Sequence, residues 1–326
     1  MTFAPAAPAR PMRKDPLMVT AFALIAILVV AVIVVAIIAA PISPVNFNQT
    51  LQDSHPNINK LNLNFQADTA QVNVIPMNIT DKNILIIVSA VGSKGIFGSS
   101  NLIHVSFDNQ TVNNELTVTS KVTDTNGLFT RNFKVTCTIY VNPTLNLNLN
   151  VTTQTGEVTL SAEKPATFQS INLQANTGDV QVTMQNVTIA GDLSLKTETG
   201  AVYYGMSQGN VQGNSTVNLQ STTGSVDMDI TETKTLQGNL QVNAATTTGS
   251  INVGLQIEGD VGAKITSQAT LGSINPNVQN FSGDQSPLQS NNYPAASNIE
   301  INNRTNLGSI NINAAYQSSV TPSIRN

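Results

Sequence analysis

Hydrophobic and polar residues alternate over most of the second half of the chain. Segments such as Val180–Met184, Val226–Ile230 and Ile251–Leu255 carry an apolar residue at every second position, with polar residues or glycine between them. Because successive side chains of a β-strand point to opposite faces, this alternation predicts strands with one dry face and one wet face. The main body of the protein is therefore expected to be all-β.

A glycine phrase separates pairs of these predicted strands. The phrase T-G-[EDAS]-[VI] or L-G-S-I occurs at Gly156, Gly178, Gly200, Gly224, Gly249, Gly272 and Gly308. The steps between them are 22, 22, 24, 25, 23 and 36 residues, and such regular spacing is typical of stacked repeats. A tight corner between two strands needs a positive φ, which glycine adopts without steric penalty. The pattern predicts a β-solenoid-like stack over residues 150–315 with these glycines at its corners.

The residues before the glycines predict how the repeats stack. Threonine stands directly before the first five glycines, at Thr155, Thr177, Thr199, Thr223 and Thr248. Stacking in register would align these threonines as a ladder. Leu271 and Leu307 take this position in the last two repeats, which indicates different packing near the end of the stack. The long last step holds an insertion rich in Asn, Ser, Gly and Pro, which we expect to be a surface loop.

The rest of the chain divides into segments of different character. We assign a cytoplasmic tail to residues 1–16, a transmembrane helix to 17–40, a linker to 41–57, an N-terminal β region to 58–149 and a C-terminal tail to 316–326. The N-terminal β region lacks the glycine phrase but contains alternating segments. We therefore expect an antiparallel β region that caps the membrane-proximal end of the stack.

The segment 17–40 is uncharged and mostly aliphatic. As a helix it would be about 36 Å long, enough to cross a hydrocarbon core of about 30 Å. Arg10, Arg13 and Lys14 precede it, so the positive-inside bias places the N-terminus in the cytoplasm. The sequence predicts a single-pass plasma-membrane protein with an extracellular β body.

Two alternatives to an uncleaved anchor stay open. A cleaved signal peptide fits less well, because its apolar core is usually shorter and because Pro41 follows the only small-residue exit. Pilin-type processing near Lys14 and Asp15 is the second alternative.

The composition excludes several classes of partner and site. Only 10% of the residues are charged and the net charge is -4, which argues against nucleic-acid binding because phosphate neutralisation needs a basic face. Cys137 is the single cysteine, so an intrachain disulfide and a cysteine-based zinc site are both excluded. We expect Cys137 to pack as a small buried apolar residue.

Asp227 and Asp229 are the main candidates for chemistry. They stand two apart on the polar face of one predicted strand, as a carboxylate pair or a calcium site would. A solvated strand face is the favoured interpretation, because no acidic residue recurs after every corner glycine. The repeats contain no histidine, and His55 and His104 precede them as ordinary surface or sheet residues. We therefore expect no enzyme, no catalytic residue, no metal and no cofactor.

Asparagine-linked glycosylation is a further candidate chemistry. Eight N-x-[ST] sequons occur, at Asn48, Asn78, Asn109, Asn150, Asn186, Asn214, Asn280 and Asn303. Chance alone accounts for that number in a chain so rich in Asn, Ser and Thr. The predicted export makes them candidate acceptors where the host glycosylates exported proteins.

The order of elements resembles the candidate adhesin family of β-strand-repeat proteins. Members place an anchor first, then a β region that ends in a strand and a proline, and then tandem T-G-[DS]-[IV] repeats. Here the segment FKVTCTIYVNPTLNLNLNVTTQTGEVTL, Phe133–Leu160, and the copies at Gly178, Gly224 and Gly249 match that plan. The resemblance covers residues 58–315. It implies a fold and no chemistry, so no functional residue is carried over from it.

These features together predict a membrane-anchored cell-surface protein with a structural or adhesive role. Its partners would be the membrane, crossed once, and envelope polymers, surface glycans or proteins held by the polar face of the stack. The alternative is a membrane-anchored envelope sensor or regulator that acts through a membrane partner. A polysaccharide-active β-helix enzyme is less favoured, and the sequence does not define the oligomeric state.

Overall fold

The computed structural model describes residues 24–25, 27–32, 43–94, 101–125, 130–234 and 236–318. Residues 24–25 and 27–32 are helical and exposed. The rest of the predicted transmembrane helix, the predicted tail 1–16 and residues 319–326 lie outside the described residues. Within the described ranges, no helix has the length and the hydropathy needed to cross a membrane.

The chain divides into two compact units. One unit contains residues 1–45, 92–100 and 126–133. Its described parts are the short helical stretch and the ends of three strands. The other unit contains residues 46–91, 101–125 and 134–326, and it holds all the repeats.

The described strands form two sheets, which we name sheet A and sheet B. Sheet A contains, in spatial order, β1 (Ser43–Asp53), β4 (Ile84–Lys94), β7 (Thr130–Val141), β3 (Gln71–Pro76), β9 (Val158–Ala162), β11 (Val180–Gln185), β14 (Val202–Ser207), β17 (Val226–Glu232), β19 (Ile251–Glu258), β25 (Ile310–Gln317) and β21 (Ile274–Gln279). Sheet B contains β22 (Phe281–Ser282), β23 (Leu288–Ser290), β20 (Val261–Leu271), β24 (Ser297–Leu307), β18 (Gly238–Thr248), β16 (Gly213–Thr223), β13 (Leu193–Thr199), β10 (Thr167–Thr177), β8 (Asn146–Thr155), β2 (Lys60–Thr69), β6 (Glu115–Asp124) and β5 (Ile103–Val112). Of the short strands β12 (Thr188–Ile189) and β15 (Asn210–Val211), β12 pairs with β10, and β15 pairs with β12.

Each repeat forms one coil of a two-sheet stack. The chain runs along a strand of sheet B, turns at a corner residue and continues along a strand of sheet A. Equivalent strands of neighbouring coils pair in parallel, as Val217 with Val242 and Val226 with Ile251 show. Alternate aliphatic side chains of both sheets are buried and form the core. This arrangement confirms the prediction of an all-β, solenoid-like body.

The corner glycines are held by the close approach of neighbouring coils. All seven have φ between 129° and 151°. A Cβ on Gly224 would lie 2.0 Å from the carbonyl oxygen of Gly200, and the other six would meet a neighbouring corner carbonyl at 1.9 to 2.2 Å. The Gly224 N–H donates to the Thr248 carbonyl of the next coil at 2.9 Å. Glycine is therefore required for its backbone angle and for the missing side chain.

Buried hydroxyls support these corners from within the stack. The threonines directly before the glycines stack in register, as Thr199 with Thr223, but they are exposed. Two positions before four of these threonines stands a buried Ser or Thr, whose hydroxyl donates to the corner carbonyl of the adjacent coil, whereas Ala175 takes this position in the coil of Gly178. Ser221 reaches Gly200 at 2.8 Å in this way, and Thr246 reaches Gly224 at 2.9 Å.

The last two coils are stacked in the reverse of their order along the chain. β24 lies between β18 and β20, and β25 lies between β19 and β21. Gly308 therefore packs on Gly249, and Gly272 packs on Gly308 at the end of the stack. The stacking order therefore differs from the chain order at this end. Leu271 and Leu307 belong to these two coils, lie side by side and are 66% and 52% exposed.

The predicted surface loop between Gly272 and Gly308 is an end cap. It contains β21, β22 and β23, and β23 pairs with the outer side of β20. Leu288 of β23 is fully buried, so the segment contributes to the core. Most of the other residues of the insertion are exposed, as expected of a surface loop, but Leu288 anchors it to the end of the stack.

The predicted antiparallel cap is wrong for most of the N-terminal β region. β2 and β3 form a further coil, with Ala70 at the corner, and pair in parallel with β8 and β9. β6 and β7 pair in parallel with β2 and β3 on their outer side, while β5 alone is seen to pair antiparallel, with β6. Alternation of apolar residues does not distinguish parallel from antiparallel pairing, and Ala70 concealed the corner. The end of the stack is again occupied by a coil that is out of chain order.

Glu232, the last residue of β17, is a buried carboxylic acid in the core. It is 0% exposed, and its Oε1 accepts the Gly209 N–H at 2.8 Å. Its Oε2 has no partner among the described residues. Burial raises the pKa of Glu232 to about 7, although the Gly209 hydrogen bond and the charge of Lys234 act in the opposite direction.

We expect Glu232 to make the protein less stable as the pH rises. The raised pKa means that the folded state keeps a proton which the unfolded state loses above about pH 4.5. The free energy of unfolding should fall by about 3 kcal/mol from pH 4 to pH 8 relative to Glu232→Gln, which cannot ionise. Urea denaturation of both proteins at pH 4, 6 and 8 measures this difference. Parallel pH profiles would contradict it.

Candidate functional site

The outer face of sheet A carries two parallel rows of polar side chains. Parallel pairing in register places equivalent residues of successive coils about 4.8 Å apart. The first row consists of Asp227, Asn252, Asn311 and Asn275. The second row, two residues further along each strand, consists of Asp229, Gly254, Asn313 and Asn277.

The first row is a continuous chain of hydrogen bonds. Asn275 donates to Asn311 at 3.0 Å, and Asn311 donates to Asn252 at 2.8 Å. Asn252 in turn donates to Asp227 at 2.5 Å, and Ser225 donates to the second oxygen of the same carboxylate at 2.6 Å. Both oxygens of Asp227 are thus engaged by the protein itself.

The second row is interrupted at Gly254. Asn277 donates to Asn313 at 3.2 Å, but the Asn313 amide donates to nothing in the part of the chain that the structure describes. Asp229 receives only the Tyr203 hydroxyl, at 3.4 Å. A Cβ on Gly254 would lie 2.1 Å from Asp229 Oδ1, so the carboxylate leans over the glycine.

The interruption opens a cleft on the outer face of sheet A, which we name the Asp229 cleft. It has a volume of about 430 Å³ and is lined by both rows described above. Gly205 pairs with Asp229 on the other side, so the carboxylate stands between two glycines. Burial and the nearby Asp229 raise the pKa of Tyr203, which keeps its hydroxyl protonated as a donor.

The charge of this face restricts what the cleft can hold. In the spatial order of sheet A, the eight strands from β3 to β21 contain no lysine and no arginine. Asp227 and Asp229 are in no ion pair among the described residues. An anionic group would therefore meet only negative and neutral side chains, so the face suits neutral or cationic ligands.

The structure does not gather the aspartates into a metal site. Within the described ranges, no group of three or more His, Cys, Asp or Glu side chains is placed to hold a metal ion. Both oxygens of Asp227 accept hydrogen bonds from Asn252 and Ser225, so this carboxylate is already satisfied within the protein. Asp229 is the carboxylate that is available to a ligand.

The other candidate residues lie away from this cleft. His55 Nδ1 is 2.5 Å from Asp53 Oδ2, and Asn83 donates to the same buried carboxyl at 3.0 Å. Burial alone would raise the pKa of Asp53, but the hydrogen bonds from Asn83 and His55 lower it. His104 is exposed on β5. Cys137 is fully buried, and burial raises the pKa of its thiol to about 12, so it is an inert core residue.

The sequon asparagines differ in accessibility. Exposed side chains occur at Asn48, Asn78, Asn186, Asn214 and Asn280. Asn109 of β5 and Asn150 of β8 are half-buried. Asn303 is only 3% exposed and donates to Ser267 at 3.1 Å. Its side chain faces the core side of β24 and is inaccessible in the folded chain.

Sequence reasoning identified Asp229 but missed Gly254 and Asn313. Aligning the strands that follow the corner glycines gives D-M-D, N-V-G, N-I-N and N-P-N at residues 227–229, 252–254, 311–313 and 275–277. The glycine is the exception in this alignment. The glycine at this position is visible in the sequence, but only the stacking order of the coils shows that it lies between Asp229 and Asn313.

Two parallel sheets, wound coil upon coil around a shared aliphatic core, define this protein as a β-solenoid-like repeat protein. The family model Toastrack DUF4097 matches residues 63–317. The chain belongs to the Toastrack DUF4097 family, and the predicted resemblance to candidate adhesins of the β-repeat type is confirmed.

Two solved structures of bacterial proteins follow a similar chain path. A candidate cell adhesion protein from Clostridium sporogenes ATCC 15579 is 15% identical, with a TM-score of 0.40 over 84% of this chain and 100% of that chain. A candidate adhesin from Bacteroides fragilis NCTC 9343 is 14% identical, with a TM-score of 0.33 over 83% of this chain and 97% of that chain. No curated protein matches the sequence significantly.

Proposed function

We propose that this protein is a single-pass, membrane-anchored cell-surface protein that binds polymers of the cell envelope through the outer face of sheet A. The observation that carries the proposal is the Asp229 cleft, where a donor and an acceptor of an otherwise self-satisfied polar face are left without strong partners. The uncharged segment 17–40 and the basic residues before it support the anchor.

The repeated coils suit a ligand that is itself repetitive. Each coil presents amide and carboxylate groups at the same height, about 4.8 Å from those of the next coil. A polymer lying along the rows can make several weak, wet contacts at once, and linked contacts bind far more tightly than single ones. The protein would thereby act as a structural or adhesive element of the envelope.

The test is made on intact cells that display the full chain with an epitope before Arg10. We expect the cells to bind isolated envelope polymers. External protease should abolish this binding by removing the residues beyond Pro41, while the epitope stays protected inside. If the β domain beyond Pro41 resists external protease in intact cells but is digested after lysis, the proposal is wrong. If untreated cells bind no envelope polymer and a second membrane protein co-purifies with the chain, the alternative of a membrane-anchored sensor is favoured.

A further inference from the structure

The second row of sheet A lacks one carboxamide. In the first row each asparagine donates a hydrogen bond to the next side chain, and Asn311 and Asn252 also accept one from the side chain before. In the second row Gly254 occupies the place where Asn252 stands in the first. The Asn313 N–H and the Asp229 side chain therefore flank Gly254, which has no side chain and over which the Asp229 carboxylate leans.

The missing group has a defined hydrogen-bond polarity. It must accept from the Asn313 amide on one side and donate to the Asp229 carboxylate on the other. The Cα atoms of Asp229 and Asn313 are two strand spacings apart, about 9.6 Å. When Asp229 is turned away from Gly254, this separation leaves room for an acceptor and a donor on different atoms, as in an amide.

We propose that the Asp229 cleft binds the acetamido group of N-acetylated amino sugars in an envelope polysaccharide. This inference rests on the proposed function and names its ligand. The acetamido carbonyl accepts from Asn313 and its N–H donates to Asp229, as an asparagine side chain at position 254 would. The bond to Asp229 is charge-assisted and is the stronger of the two. Asp229 can rotate off Gly254 to make it, because it is the free end of a short side chain.

Other sugar chemistries satisfy the cleft less completely. An ammonium group of a free amino sugar would pair with Asp229, but it has no acceptor for Asn313. An acidic sugar would meet a cleft without lysine or arginine. A neutral sugar without an acetamido group has hydroxyls alone to span the gap. Tyr203, whose hydroxyl lies 3.4 Å from Asp229, adds an aromatic ring beside the cleft for the sugar itself.

The experiment uses the full chain in detergent micelles and three tetrasaccharides, made of N-acetylglucosamine, glucosamine or glucose. We expect the N-acetylated tetramer to bind at least tenfold more tightly than the other two. Gly254→Asn completes the row with the protein's own amide and should weaken this binding at least tenfold. Ala315→Asn adds the same side chain to the same face outside the cleft and should leave the affinity within about twofold.

A second variant guards against misfolding of the first. Asn313→Ala removes the donor from an exposed position and should also weaken binding about tenfold, with an unchanged thermal transition. Equal binding of the N-acetylated tetramer and the glucosamine tetramer would overturn the proposal, as would unchanged binding by both cleft variants. If other envelope polymers bind and the N-acetylated tetramer does not, the proposed function survives and this inference fails. If no polymer binds, both fail.

Discussion

Gly224→Ala should lower the free energy of unfolding by about 4 kcal/mol. The new Cβ would lie 2.0 Å from the carbonyl oxygen of Gly200, and that oxygen is backbone held in the neighbouring coil. The variant therefore combines strain at a positive φ, about 1 to 3 kcal/mol, with overpacking of about 1 to 3 kcal/mol. Chemical denaturation of the full chain in micelles, followed by the β-sheet circular dichroism signal, measures the loss.

Gly213→Ala is the matched control for that variant. Gly213 has φ of 75°, but a Cβ added there would have no atom within 4 Å, so the substitution adds backbone strain without a clash. It should cost about 1 kcal/mol. If both variants lose the same amount, close approach of the coils is not what requires glycine at the corners.

The same substitution at the end of the stack should be cheaper. Gly272 is in the terminal coil, whereas Gly308 is held between two coils. Gly272→Ala can be relieved by fraying, which Gly308→Ala cannot. Chain order alone would reverse this expectation, because Gly308 is the last corner in the sequence.

Deletion of residues 297–326 should detach two coils and not one. It removes β24 and β25, which are the strands that β20 and β21 pair with in parallel. Four buried isoleucines leave with them, Ile299, Ile301, Ile310 and Ile312. At about 2 kcal/mol each, their burial alone contributes about 8 kcal/mol. The backbone amides of residues 261–279, which include β20 and β21, should lose their protection from hydrogen exchange.

Deletion of residues 318–326 is the control for this truncation, since those residues follow β25, the last strand in the part of the chain that the structure describes. It should leave the exchange pattern and the unfolding midpoint unchanged. Amides of β20 that stay protected in the longer deletion would show that the coil at Gly272 docks without the coil at Gly308. The reversed order of the last two coils would then not determine their stability.

The local structure could be predicted from the sequence because it depends on local rules. Alternation of apolar residues gave the strands around Val182 and Met228, and the need for a positive φ gave the corners such as Gly224. The wet and dry faces followed directly from the same alternation.

The order of the coils could not be predicted, because it depends on a choice between similar partners. Gly272 and Gly308 are both within L-G-S-I, so either coil offers Gly249 the same corner. At the other end Ala70 replaces the glycine, and nothing in the phrase marks a coil there. The cleft was hidden for the same reason, since Gly254 is unusual only when Asn313 is known to lie beside it.

The reversed coil order also affects the sequence of events during folding. The ribosome completes β20 and β21 before β24 exists, yet their place in the stack is defined only by strands made later. Until β24 and β25 are synthesised, the edges of β18 and β19 lack their native partners, and unpaired strand edges are sites for aggregation and for chaperone binding. Local coils can form early, but closing the stack joins segments far apart in sequence and is expected to be the slow step. A chain that ends before β24 would leave β18 and β19 without their native partners.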